Sequence, residues 1–285
     1  MSSLQPRPGH WLLRCPLCKS GFTAAAGALV CQNGHSFDLA REGYVNLLSS
    51  RSRRPAAGGD SAAQLRHRAE FLDAGHLDAV AATIAAHVEE AADPARHILD
   101  AGSGTGHHLA RIAERLPGSV IGLGLDISKD AARQSARRWV NLAFAVADLW
   151  AEWPVHDAAA DLVISIFAPK NFPEAARVLR RGGWLVLAYP GAEHLIELRD
   201  RFGLLRQHEE SPGRYADMAT HFVGPPTVAR LRGRAVLDPA MARVVILMGP
   251  NARHVDPSIF DFGPYPLAVT LDINVLFVRK TERKS

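Results

Sequence analysis

Cysteine is scarce in this chain of 285 residues, which contains three, and an odd number fits a disulfide framework poorly. Long apolar runs are also missing, because no stretch approaches the roughly 20 residues that a membrane-spanning helix needs. The N-terminal residues lack the continuous apolar segment and small-residue cleavage site of a secretory signal. These absences argue against disulfide-stapled, secreted and membrane-spanning proteins. They predict a cytoplasmic protein with no membrane partner.

A strong excess of one charge is absent too. The 33 lysines and arginines oppose 29 aspartates and glutamates, which leaves a net charge of +4. Such a mildly basic balance permits a polyanionic partner without requiring one. Apolar residues make up 47% of the chain, so it can bury the core of one large domain accompanied by a small one.

All three cysteines lie close together near the N-terminus, with a histidine behind them. Cys15 and Cys18 form a Cys-x2-Cys pair, and Cys31 and His35 form a Cys-x3-His pair. Zinc takes thiolate and imidazole ligands, and the short spacing lets two sulfurs of one tight turn reach a single ion. Four protein ligands close the coordination sphere, so the pattern predicts a structural Zn2+. A thioredoxin-like redox pair is the alternative, but its flanking strand and helix are missing.

Composition divides the chain into three parts. Residues 1–48 contain the zinc motif and are predicted to form a small zinc-binding domain. Residues 49–95 open with a stretch rich in Ser, Arg, Pro and Gly, whose basic residues at 51–54 could meet phosphate or be solvated linker charge. Helical periodicity follows, with a break at Gly75, and predicts two helices that cover a cofactor site. Residues 96–285 are predicted to form the large domain.

The large domain begins with a short apolar strand that ends in a glycine-rich turn. The strand carries Asp100, and Gly102, Gly104 and Gly106 follow before a helical segment. Glycines at these positions allow a tight turn and close approach of the backbone to a ligand. This pattern of strand, glycines and helix therefore predicts the first turn of a doubly wound α/β fold. The spacing differs from the Gly-x-Gly-x-x-Gly of dinucleotide sites, which favours S-adenosylmethionine.

Two further acidic residues end the next two predicted strands. Asp126 follows "SVIGLGL", where a carboxylate can accept both ribose hydroxyls, and Asp148 follows "LAFAVA", where it can meet the adenine amino group. Ligands in such sheets bind outside the carboxyl ends of the strands. The sequence thus predicts a cofactor that extends along one edge of the sheet.

The motifs together suggest a family. "CPLC", "CQNGHSFDLAREGYVNLL", "GDSAAQLRHRAEFLDAGH", "LDAGSGTGHHLA" and "GGWLVLAYPGAEHLIEL" resemble the bacterial 23S rRNA guanine-N1 methyltransferases, the RlmA family, and in particular its macrolide-resistance branch. The resemblance implies a class I Rossmann-like fold with a mostly parallel sheet of about seven strands behind a zinc-ribbon-like domain. It also implies methylation of a guanine in a domain II hairpin loop of 23S rRNA, in free rRNA or in the large ribosomal subunit, and macrolide resistance as one consequence.

Family site residues transfer only to matching positions. The resemblance implies S-adenosylmethionine contacts at Gly104, Thr105 and His194, and at the position of Leu77, where the family commonly has an aromatic residue. A second departure is Arg253, where relatives tend to carry a tryptophan. A homodimer is left open.

The proton acceptor for guanine N1 is less evident from sequence. Asn171, at the carboxyl end of the fourth strand of the large domain, and Asp60 are the candidate catalytic residues, and Arg14, Lys19 and Arg41 are expected to grip the RNA backbone. Two other functions stay open. One is a small-molecule methyltransferase, which would have a closed apolar pocket. The other is a non-catalytic RNA-binding or ribosome-assembly factor.

Overall fold

The computed structural model describes most of the chain. The described residues are 4–48, 59–90, 95–205, 218, 221–222, 225–254, 256 and 260–280. The basic residues at 51–54 lie outside them. Within the described residues, no helix combines the length and apolar character that a bilayer crossing requires.

Two groups of strands build the molecule. The first four strands are β1 (Phe22–Ala25), β2 (Ala28–Cys31), β3 (Ser36–Asp38) and β4 (Tyr44–Asn46). The later strands are β5 (His97–Ala101), β6 (Ile121–Asp126), β7 (Ala143–Val146), β8 (Ala160–Ile166), β9 (Leu179–Pro190), β10 (Thr227–Leu237) and β11 (Leu267–Arg279).

Seven α-helices are described. They are α1 (Ala62–Asp73), α2 (Asp78–Glu89), α3 (His107–Arg115), α4 (Lys129–Arg138), α5 (Phe172–Val178), α6 (Ile196–Phe202) and α7 (Pro239–Leu247). Short 3-10 helices occupy Pro8–Leu12 and Pro250–Arg253.

The large sheet has eight strands in the order β10-β11-β9-β8-β5-β6-β7-β4. Neighbours from β9 to β4 pair in parallel, whereas β11 pairs antiparallel with both β9 and β10. The predicted Rossmann-like class is therefore confirmed. The strand number exceeds the expected seven because β4, from the N-terminal part of the chain, pairs beside β7.

The two helices predicted around Gly75 are present as α1 and α2. A capping box starts α1: the Gln64 amide donates to Ser61 Oγ (3.2 Å), and the Ser61 amide donates to Gln64 Oε1 (3.1 Å). Gly75 has a φ of +79°, a left-handed conformation that glycine adopts without strain and that separates the helices. The hairpin packs on α3 and α7, next to the glycine-rich turn.

The N-terminal part docks tightly on the large sheet. Strands β1, β2 and β3 form a small antiparallel sheet whose buried residues share one apolar cluster with the large domain. The Arg7 guanidinium donates to the carbonyl oxygens of Ala136 (2.8 Å), Trp139 (3.1 Å) and Leu142 (2.7 Å), near the end of α4. Because one core spans both parts, loss of structure in the small sheet should weaken the whole protein. The boundary at residue 48 stays a prediction.

Candidate functional site

The predicted zinc ligands come together in the structure. One ligand atom from each of Cys15, Cys18, Cys31 and His35 lies within 4.8 Å of all the others. Cys18 Sγ is 3.6 Å from Cys31 Sγ, and His35 Nδ1 is 3.5 Å from Cys15 Sγ and 3.3 Å from Cys31 Sγ. Ligands about 2.0–2.3 Å from a tetrahedral zinc ion are separated by similar distances. The four residues therefore fit Zn2+.

Local structure prepares these ligands for a metal. Cys15 lies in the N-terminal turn, Cys31 ends β2, and both are buried in the cluster shared with the large domain. A side-chain hydrogen bond with Ser20 lowers the pKa of Cys18 to about 5, which favours the thiolate that zinc binds, whereas burial raises the pKa of Cys15 to about 11. A closed set of four protein ligands has no position for a substrate, so the site is structural.

The second site lies at the carboxyl ends of the parallel strands. Gly102, Gly104 and Gly106 all have positive φ angles, of +95°, +50° and +70°. A Cβ built on Gly102 would lie 2.3 Å from the Cβ of Ala168, so this position excludes any side chain. The turn thus presents backbone close to whatever binds above it, as the sequence predicted.

Asp126 fastens this turn to the end of β6. Its carboxylate accepts hydrogen bonds from the amides of Gly104 and Ser128, both at 2.8 Å. Burial nevertheless raises the pKa of Asp126. A half-buried carboxylate at the edge of the turn is placed to exchange hydrogen bonds with hydroxyl groups of a ligand.

Asp100 lies beneath the same turn and is almost fully buried. Burial, with the nearby charge of Asp126 as a second cause, raises its pKa to about 8. The folded state therefore holds a proton on Asp100 at pH values where the unfolded chain has lost it. Stability contributed by this group falls as pH rises from about 4 to about 8.

Replacing Asp100 with asparagine should remove that dependence. Between pH 6.5 and 8, we expect the free energy of unfolding of Asp100→Asn to fall less steeply than that of the wild type, by up to about 1.4 kcal/mol per pH unit. Urea unfolding of the cofactor-free protein at several pH values measures it. Asp130→Asn, at an exposed position on α4, is the control. Parallel profiles for wild type and Asp100→Asn would contradict the buried, protonated Asp100.

The remaining predicted cofactor residues occupy different depths. Asp148 follows β7, and its Oδ1 accepts the Trp150 amide at 2.9 Å. Thr105 is buried, and its carbonyl accepts the Trp139 indole N–H at 3.0 Å. Leu77 is buried in the apolar core directly before α2, so its position is that of a packing residue.

His194 follows β9, and a backbone amide of β11 holds its ring. The Asp272 amide donates to His194 Nδ1 at 3.2 Å, which leaves the proton of a neutral ring on Nε2. Burial lowers the pKa of His194 to about 4, so the ring is neutral at physiological pH. His194 can therefore act as a hydrogen-bond donor at this edge of the sheet.

Sequence reasoning missed Arg68. A Cβ built on Gly104 would lie 3.4 Å from Arg68 Nη1, so the guanidinium stands directly over the glycine turn. The same nitrogen pairs with the carboxylate of Asp60, and Nη2 donates to the Met248 carbonyl at 2.9 Å. Only its place in the helix before the turn could have pointed to it, because one arginine among many carries no distinctive spacing.

A cavity of about 480 Å³ lies beside the Asp60–Arg68 pair, between the start of α1 and the segment after α7. Its lining residues include Ser61, Gln64, His67 and Arg253. Arg253, one of the two departures from the family pattern, also hydrogen-bonds the carbonyl of Gly59. The cavity has the size of a ligand site and a lining of mixed polar and apolar residues.

Two sequence predictions meet competing contacts in the structure. Asn171 caps α5, with Oδ1 accepting the Glu174 amide (3.3 Å) and Nδ2 donating to the Leu149 carbonyl (3.0 Å). Its polar atoms thus already hold the scaffold, although its catalytic role stays untested.

Arg14 is buried and paired with Glu152 and Asp157. The expectation that Arg14 grips RNA was therefore wrong, because a buried arginine that neutralises two carboxylates is not available to phosphate.

Comparisons with known proteins agree with this geometry. A family profile described as "RlmA, N-terminal", for a zinc ribbon, matches residues 13–54, and one described as "Methyltransferase domain" matches residues 98–183. A protein of Micromonospora griseorubida provisionally named a 23S rRNA (guanine-N1)-methyltransferase is 40% identical over 86% of this chain and 88% of its own length.

Two further relatives carry related names. The 23S rRNA (guanine(748)-N1)-methyltransferase of Streptomyces fradiae is 42% identical over 86% of this chain and 87% of its own length. A Bacillus subtilis protein, provisionally named a 23S rRNA (guanine-N1)-methyltransferase, is 39% identical over 66% of this chain and 67% of its own. With its zinc ribbon and its S-adenosylmethionine-dependent methyltransferase fold, the chain belongs to the family of 23S rRNA (guanine-N1)-methyltransferases.

Proposed function

We propose that this chain methylates N1 of a guanine in 23S rRNA, in the position that corresponds to guanine 748 of the S. fradiae enzyme's name. The observation that carries the proposal is 42% identity to that enzyme across 87% of its length, in a chain that has both the zinc ligands and the glycine turn. The target lies in a domain II hairpin loop under this proposal, and the protein works in the cytoplasm, where ribosomes are made.

We infer the cofactor contacts from the order of the strands. Asp148, Asp126 and the glycine turn stand at the ends of β7, β6 and β5, which are neighbours in the sheet. We place the adenine at Asp148, the ribose at Asp126, and the methionine part above the turn from Gly102 to Gly106. Asp100 supports the turn from beneath, Thr105 contributes from within the turn, and His194 completes the contacts beyond the end of β9. Leu77 contributes apolar packing under the helices that cover the site.

The amino-acid end of the cofactor carries a carboxylate, and Arg68 stands where that end would lie. A guanidinium offers several donors in a planar fork, which suits a carboxylate better than an ammonium does. We assign Arg68 to this contact. Asp60, which pairs with Arg68, keeps the guanidinium oriented over Gly104.

A matched pair of variants on α1 tests the assignment. Arg68→Gln should weaken S-adenosylmethionine binding by about 10- to 100-fold, because a charged hydrogen bond contributes roughly 1.5–3 kcal/mol. Arg66→Gln removes an exposed arginine from the same helix and should leave affinity unchanged. Isothermal titration calorimetry gives both dissociation constants. Equal affinities for the two variants would rule out Arg68 as a cofactor contact.

The reaction requires the protein to position the two substrates and to supply an acceptor for the proton on guanine N1. Bound S-adenosylmethionine would supply a methyl group whose carbon guanine N1 attacks in line with the breaking C–S bond, so that S-adenosylhomocysteine leaves with the electron pair of that bond. Guanine N1 loses its proton as the N–C bond forms. Asp60 is the candidate acceptor, because its carboxylate faces the turn through Arg68, whereas Asn171 was expected to orient the base edge and caps a helix. Holding the two substrates in line supplies most of the acceleration.

The zinc ribbon holds the RNA rather than the reacting atoms in this proposal. Lys19 and Arg41 remain exposed, whereas Arg14 braces the ribbon against the large domain. Zinc shapes this surface without touching substrate. The small-molecule alternative predicts a closed apolar pocket, whereas the cavity beside Asp60 is open and includes Gln64, His67 and Arg253 in its mixed lining. The homodimer stays a prediction.

Hairpin transcripts of domain II test the substrate assignment. Methyl transfer from labelled S-adenosylmethionine should occur on the unmodified hairpin and fall to background when guanine 748 is replaced by adenine. Replacing a neighbouring guanine in the same loop is the control and should leave transfer intact. Equal transfer to both altered hairpins would contradict the proposed position.

Tylosin resistance, the physiological consequence we propose, is tested by expression in a sensitive strain. An unchanged inhibitory concentration, despite methylated rRNA, would reject it.

A further inference from the structure

Phe167 stands out at the carboxyl end of β8. The strand before it is buried, yet the Phe167 side chain is 43% exposed. Its φ is +53°, in the left-handed region that an aromatic residue rarely occupies. The Phe167 amide still donates to the Ala188 carbonyl at 2.9 Å, so the sheet extends up to this residue and turns abruptly after it. Such a strained, exposed ring at a ligand edge invites a functional explanation.

The turn after Phe167 touches the cofactor cradle. Ala168, the next residue, lies against Gly102. A Cβ built on Gly102 would lie 2.3 Å from the Cβ of Ala168. Phe167 therefore stands beside the glycine turn and not at a remote loop. Its ring is nearly parallel to that of His194, with the centroids 6.2 Å apart and an interplanar angle of 27°.

Strand order indicates which part of the cofactor Phe167 would face. The sheet runs β9-β8-β5-β6-β7, and the proposed contacts to adenine, ribose and methionine occupy the ends of β7, β6 and β5 in that order. The sulfonium joins the ribose to the methionine part, so it lies between the ends of β6 and β5, and its methyl group is proposed to face the neighbouring end of β8. Phe167 ends β8 and His194 follows β9. The methyl acceptor has to approach from this side.

We propose that Phe167 is the stacking surface for the target guanine, a positioning role that rests on the proposed function. A base has to leave its stack before N1 can meet the methyl group, and flipped bases are held by stacking on aromatic side chains. The planar ring of guanine matches the exposed face of Phe167. Stacking there would direct N1 toward the sulfonium while His194 stays neutral beside it.

A second exposed aromatic residue, Trp150, lies near a different part of this sheet edge. Trp150 follows Asp148 beyond β7, on the side assigned to adenine. Phe167 is therefore the exposed aromatic residue at the acceptor side among the residues that the structure describes.

A double-mutant cycle, in which the Phe167 ring and the target base are removed separately and together, tests the inference. The affinity of the full-length zinc-loaded protein, with bound S-adenosylhomocysteine, is measured for a domain II hairpin and for the same hairpin with an abasic target nucleotide. The wild type should prefer the intact hairpin by about 5- to 100-fold, the range that base–aromatic stacking supplies. Phe167→Gly should lose most of that preference, whereas Phe167→Tyr should retain it.

The choice of glycine keeps folding and stacking apart. Glycine adopts a φ of +53° without strain, so Phe167→Gly should keep the melting temperature and cofactor affinity of the wild type while it loses the base preference. Tyr265→Leu removes an exposed ring elsewhere and should leave the ratio of the two affinities unchanged. A Phe167→Gly protein that keeps the full preference would overturn the stacking role. A wild type that methylates rRNA but binds both hairpins equally would overturn it while the proposed function stands, and a wild type without methyl transfer would overturn both.

Discussion

Cys31→Ser is expected to unfold the zinc ribbon and to abolish methyl transfer to rRNA. Structural zinc sites contribute about 10–16 kcal/mol of apparent binding free energy in small peptides, which equals or exceeds the whole stability of a typical domain. Cys31 is buried at the end of β2, so serine would leave a weak ligand without a replacement. Because ribbon and large domain share one apolar cluster, the melting temperature of the entire protein should fall as well.

Calorimetric melting and zinc content, measured together, check this expectation. Thr23→Ala, an exposed residue on β1, changes the same small sheet without touching a ligand and should melt like the wild type. Removing zinc with a chelator should reproduce the Cys31→Ser profile. The expectation fails if the metal-free protein keeps both the wild-type melting temperature and its transfer rate, because zinc would then be dispensable for the fold.

Asp126→Ala should weaken S-adenosylmethionine binding by about 100-fold or more. The carboxylate orders the turn through the amides of Gly104 and Ser128 and is assigned to the ribose hydroxyls. Losing two charge-assisted hydrogen bonds at roughly 1.5–3 kcal/mol each gives an effect of this size. Titration calorimetry with S-adenosylmethionine measures it directly.

Two companion variants separate ribose recognition from loop order. Asp126→Asn keeps the shape and one acceptor but not the charge, so its affinity should lie between those of the wild type and Asp126→Ala. Asp130→Ala, on α4 four residues further, removes an exposed carboxylate paired with Arg133 and should bind normally. Wild-type affinity in Asp126→Ala would show that the ribose is bound elsewhere.

The zinc ligands and the glycine turn were predictable from the sequence because both depend on local patterns. Cysteine spacing alone located the zinc ligands, since few chemistries place three thiols and a histidine at such distances. The glycine turn and the acids that end β6 and β7 were likewise readable, because parallel strands bring their carboxyl ends to one edge.

Long-range packing decided what the sequence could not show. Strand β4 joins the large sheet beside β7, almost 100 residues away in sequence, and no pattern in its three residues announces that partner. Arg14 looked like a phosphate contact until its burial and its two carboxylate partners were known. Arg68 and Phe167 gain meaning only from their neighbours in space, the glycine turn and the end of the sheet.

The most direct test of the central claim is the identity of the methylated nucleoside. Unmodified 23S rRNA is incubated with the zinc-loaded protein and labelled S-adenosylmethionine, digested to nucleosides and separated by liquid chromatography with mass spectrometry. The account predicts label in 1-methylguanosine, and none with Asp126→Ala. Label in any other nucleoside, or tight cofactor binding without transfer to rRNA or to large ribosomal subunits, would contradict it.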